Sequence, residues 1–238
     1  MSYRRSRARR EFETQLHLVV QELVPLYKCA QQLGGGSRLL AAYYIVAYSQ
    51  LEVYIGSLVE GSLDVFNSSS PAFTKWPDLM LAYILHKSEN LAADYRRFGV
   101  QEDEGAILEK VAQAARKIVS WSAGEAGFTV AYAADFLDKK KYPSPKNLPQ
   151  LFRRLGVVTI WPVVDKVGRM DGKLILTSLN DLRTEIAHEG TVPPGFSFGD
   201  FRERLKQMGR FVAALDRGVA KHFCSGIITR ADWNDAMS

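Results

Sequence analysis

Residues 39–59, LLAAYYIVAYSQLEVYIGSLV, form an apolar run of 21 residues broken by a single charge, Glu52. A helix of this character either crosses a membrane or lies at the centre of a protein. The run is rich in Ala, Tyr and Ser, and no second run follows it, so the sequence predicts a buried central helix. Leu40, Tyr44, Ala47, Leu51, Ile55 and Leu58 recur at helical spacing and form one stripe. Val46, Val53 and Tyr54 occupy the opposite side, which predicts cover all round.

The rest of the chain carries the same period. Helices are predicted over 8–33, 38–66, 78–98, 104–122, 172–189 and 197–223, with short ones over 147–156 and 161–168. Gly34, Gly35 and Gly36 stop the first helix, and Ser37 is placed to cap the second. These glycines lack the lysine and spacing of a phosphate-cradling loop. Residues 67–77 and 138–146 read as loops, the second because of its prolines. No strand-like alternation, internal repeat or linker interrupts the pattern, so the expected architecture is one all-α domain.

The net charge is +5 over 238 residues. Arg4, Arg5, Arg7, Arg9 and Arg10 supply that excess, because the remaining 26 basic residues balance 26 acidic ones. The reading is a basic arm on a neutral body. Glu11 and Glu13 follow it where a secretory signal would be apolar, so a cytoplasmic setting is expected. Two cysteines, Cys29 and Cys224, are too few for a disulfide framework or a cysteine-rich zinc site.

The segment that suggests chemistry is LTSLNDLRTEIAHEG, residues 176–190. Ile175, Leu179, Leu182 and Ile186 form its core-facing stripe, with Arg183 at the edge and His188 in the last turn before Gly190. An arginine grips phosphate oxygens through paired hydrogen bonds. A histidine near a helix C-terminus moves protons near neutral pH. Five residues turn an ideal helix through about 140°, so one helix does not aim both side chains at one phosphate. Either the helix loosens at His188, or the site draws on two copies. Glu52, flanked by Ile45, Tyr48 and Val59, is expected to be partly buried and to need a basic partner. Arg183 is the natural candidate, and a structural ion pair with another basic residue is the alternative.

RTEIAH, residues 183–188, resembles the signature of the HEPN superfamily, an arginine and a histidine four to six residues apart. Its wording is close to that of the ribonuclease-toxin branch called RiboL-PSP-HEPN, with Arg183, Thr184, Ile186, Ala187, His188 and Gly190 in the family's slots. Residues 49–63, 147–157 and 196–223 resemble the flanking helices of that branch, so the resemblance spans roughly 38–223. It implies a HEPN-like helical bundle with extra short helices, preceded by an arm and first helix (1–37) and followed by a tail (224–238). It further implies a homodimer whose two motif helices share a cleft. Thr184 and Glu185 are the expected motif-supporting residues, and Thr184 departs from the family, which usually places Asn, Asp or His there.

The expected activity is metal-independent endoribonuclease cleavage by the ribose 2′-hydroxyl, with Arg183, His188 and Glu52 in the site and no cofactor. The implied setting is a toxin or anti-phage defence system with an antitoxin or regulatory partner, and no membrane. The alternative is a catalytically silent HEPN module that binds a protein or nucleic acid. Two clusters are candidates for RNA contact: the arm, Arg4 to Arg10, and Lys139, Lys140, Lys141 and Lys146 with Arg153 and Arg154. Glu185 and His188 form half of a di-iron motif, but His17, His86 and His222 supply no second half.

Overall fold

In the computed structural model, the first helix turns back through three residues and lays the apolar run against itself. Helix α1 spans Arg7–Gln32 and α2 spans Gly36–Ser69. Gly34, at φ 72°, makes the tight connection. The pair is antiparallel: the Tyr27 ring approaches Gly36, and the Phe12 and Tyr54 rings lie 5.7 Å apart. The structure describes residues 3–69, 76–84, 86, 132–137 and 143–238. Within these, α3 is Ala133–Leu137, α4 Asn147–Arg154, α5 Ile160–Gly168, α6 Gly172–Glu189, α7 Phe198–Phe223 and α8 Arg230–Ala236. A further helical stretch covers 78–84. The fold is all-α, with no strand among the described residues. The predicted helix at 104–122 and most of that at 78–98 lie outside them.

The predicted stripe of α2, Leu40 to Leu58, is buried throughout, and Tyr54 is buried with it. Val46 and Val53 are not covered: they are 47% and 59% exposed, so α2 keeps one face to solvent. No described helix is long and apolar enough to cross a membrane. The α2 tyrosines are tolerated in the core because their hydroxyls reach backbone carbonyls, Tyr44 that of Leu179 (2.8 Å) and Tyr48 that of Pro143 (2.8 Å). Ser37 is not a cap, since α2 begins one residue earlier and Ser37 lies inside it.

Helix α7 is the second axis of the core. Its entry is fixed by a capping box, with Ser197 and Asp200 each accepting from the other's backbone N–H. Phe201, Met208, Phe211, Leu215 and Phe223 are fully buried along it, each contributing about 1.5–3 kcal/mol by burial. Gly218 lets α5 cross closely, since a Cβ there would lie 2.8 Å from Val163 Cγ1.

The ends of the chain are neither arm nor tail. Ser6 is buried, caps α1, and donates through its hydroxyl to the buried Asp216 carboxylate on α7. Arg4 N–H donates to Asn234 Oδ1 at 3.1 Å, and Arg7 N–H to the Met237 carbonyl at 2.7 Å. Residues 224–238, read as a tail, contain α8, whose Trp233 is buried 5.6 Å from Phe223. A dozen residues at each end therefore close one core with the rest.

Candidate functional site

Helix α6 starts where Asp171 accepts from Leu174 N–H (2.8 Å) and ends where Gly190 takes φ 70°. Its buried apolar side chains are Leu176, Leu179, Leu182 and Ile186. Leu176 replaces Ile175 in the expected stripe, and Ile175 lies at its margin. Arg183 is half-buried at the stripe's edge, as its helical position requires.

The register between α2 and α6 places Glu52 within the electrostatic reach of Arg183. Tyr44 bonds the Leu179 carbonyl, Tyr48 reaches Asn180 Oδ1 at 3.5 Å, and Glu52 feels the charge of Arg183. The partners ascend together along both helices. Glu52 is half-buried, and burial raises its carboxyl above the ordinary value while Arg183 draws it back down. Tyr44, Tyr48 and Asn180 hold the two helices in this register. The sequence reading used Tyr44 and Tyr48 only as apolar residues. The usable signal was their hydroxyls, which a buried helix has to satisfy on a neighbour.

His188 stands apart from this pair. It is exposed in the last turn, and α6 remains helical through Glu189. The helix does not loosen, so Arg183 and His188 are separated by about 140° around the axis and about 7.5 Å along it. Thr184 is half-buried and Glu185 exposed. Within one chain, the charge of Arg183 acts on the Glu52 carboxyl while His188 faces solvent.

Among the described residues, five of the eight candidate RNA contacts are engaged through their side chains within the fold. Arg7 bonds Glu11 at 2.7 Å, Arg5 bonds Glu13 at 2.9 Å, and Arg9 bonds Glu13 at 2.7 Å. Arg10 donates to the backbone carbonyls of Arg5 and Ser238. Acids one turn onward thus answer the basic run, an effect that counting residues 1–10 alone does not register. Arg154 stacks 4.6 Å over the Tyr83 ring and donates to the Phe136 carbonyl, so it ties α4 to α3. Arg153 and Lys146 are exposed. Lys139, Lys140 and Lys141 lie outside the described residues. His222 is half-buried and lowered by burial, against a hydrogen bond to the Gly156 backbone.

Comparisons with protein-family models, curated proteins and solved structures return no match to this chain.

Proposed function

We propose that the protein is a HEPN-type endoribonuclease. The observation that carries the reading is that the charge of the arginine in the R-x4-H pattern acts on the Glu52 carboxyl, on a helix whose last residue directly follows its histidine. In this mechanism the substrate's own 2′-oxygen attacks the adjacent phosphorus and the bond to the 5′-oxygen breaks. His188 takes the proton from the attacking hydroxyl or gives one to the leaving oxygen. Arg183, steadied by Glu52, stabilises negative charge on the phosphoryl oxygens. The products are a 2′,3′-cyclic phosphate and a 5′-hydroxyl.

Because α6 is regular through His188, the arginine of one copy and the histidine of another form the site in this reading. The homodimer is thus part of the proposal, as is a cytoplasmic toxin or defence setting with an antitoxin or regulatory partner. Since the nucleophile belongs to the RNA, cleavage is expected to survive EDTA, and end-group analysis should find cyclic phosphate. Loss of cleavage in EDTA with recovery in Mg²⁺, or 3′-hydroxyl products, would refute the mechanism. Thr184 favours the second reading, a silent helical module, and RNA left intact by the folded protein would support it.

A further inference from the structure

We propose that a hollow between α1, α5 and α7 binds phosphate groups of an RNA backbone, at a place separate from the Arg183 and His188 motif. The hollow has a volume of about 190 Å³ and is lined by Arg9, Val167, Gly168, Arg210, Ala214 and Arg217, with Ala213 at its edge. Three arginines from two helices therefore line one concavity together with small residues. Arg9 bonds Glu13 through its Nε, and its charge also acts on the buried Asp216 carboxyl. Arg210 and Arg217 are exposed and pair with no carboxylate among the described residues. Like charges converging on a hollow repel one another, and an anion with several acceptor oxygens relieves that repulsion while using the fork geometry of each guanidinium.

The surroundings favour a polymer of phosphates over one small anion. Arg202, Lys206, Arg210, Arg217 and Lys221 are all exposed on α7. Their spacing places them within about 100° of the helix circumference, as a row about 28 Å long. Two acids stand beside this row: Glu203, which bonds Lys206 at 3.2 Å, and Asp216, which is buried against Ser6. Arg169, exposed and held at φ 49°, directly follows Gly168 of the hollow. A single small anion answers one hollow, whereas a row of cations leading into it suits a chain bearing a charge at every residue.

The test measures binding without cleavage. The probe is a labelled 2′-O-methyl RNA oligonucleotide, which lacks the attacking hydroxyl, so the result is independent of the ribonuclease reading. Fluorescence anisotropy is followed against salt for the parent, Arg210→Ala/Arg217→Ala and Arg210→Lys/Arg217→Lys. Circular dichroism melting checks that each variant is folded. The alanine pair is expected to weaken binding about tenfold at low salt. It should reduce the slope of log affinity against log salt by about 1.4, for two lost contacts at about 0.7 each. The lysine pair should keep most of the slope, and Lys28→Ala/Lys173→Ala, at exposed positions elsewhere, should match the parent. A folded alanine pair with parental affinity and slope would overturn the proposal. So would an oligoglutamate of equal charge that competes as well as unlabelled RNA.

Discussion

His188 is exposed and outside the buried stripe of α6, so its imidazole contributes little to packing. His188→Ala is therefore expected to leave the melting temperature within a degree or so of the parent, in the range of neutral surface changes. RNA cleavage should fall by about 10²–10⁴, the contribution of a positioned acid–base group. A folded alanine variant that cleaves at the parental rate would remove His188 from the mechanism. Glu52 offers a test that needs no substrate. Burial raises its carboxyl, and Arg183 opposes that. For an acid raised in the folded state, the stabilisation is complete below the ordinary value of 4.5 and is lost as pH rises through the raised value. Glu52→Gln should flatten the stability profile over that window. Arg183→Ala removes the opposing charge, so the Glu52 titration followed by carbon NMR should move further up. A downward or unchanged titration would show that Arg183 does not govern Glu52.

Helix boundaries depend on a few positions where the backbone or a neighbour leaves no room. Gly156 follows α4 at φ 89°, and a Cβ there would sit 2.1 Å from the rigid ring of Pro77. Gly156→Ala combines left-handed strain of about 1–2 kcal/mol with that clash, so it should lower stability by at least that amount. Gly209 lies inside α7 with nothing within 4 Å of a built Cβ. Gly209→Ala should stabilise by up to about 1 kcal/mol, the difference in helix propensity. Urea denaturation of the two variants reads opposite signs. The cationic row of α7 also belongs to this scale. It was legible from the spacing of residues 202–221, but it is a pattern of one helix face, and attention to consecutive basic residues passes over it.

The two ends of the chain act together at the scale of the molecule. Asp216 anchors Ser6, α8 seats Trp233 against Phe223, and the backbone N–H groups of Arg4 and Arg7 donate to the Asn234 side chain and the Met237 carbonyl. Truncation after Ser225 should therefore destabilise the whole fold, and Trp233→Ala alone should cost about 3–5 kcal/mol in thermal or urea unfolding. A truncated chain with the parental transition would contradict this closure. Assembly is the other prediction at this scale. A site that needs Arg183 of one copy and His188 of another requires a dimer under assay conditions, measurable by light scattering. A strict monomer with full nuclease activity would exclude the shared site.

The sequence by itself determined the helical class, the buried stripe of α2, the ends of α6 and the edge position of Arg183. Each of these follows from local period, from caps or from glycine, which act within a few residues and carry their physics in the chain order. Tertiary structure alone decided that Val46 and Val53 face solvent, because cover depends on how many helices pack around α2. It turned an apparent arm into a docked segment, because Asp216 and Asn234 lie more than two hundred residues from their partners. It placed Glu52 within the electrostatic reach of Arg183 through the register of two helices, which the Tyr44 hydroxyl fixes on the distant Leu179 carbonyl. Local rules specify which face of a helix is apolar, but the identity of the neighbour across that face is a long-range choice made by packing the whole chain at once.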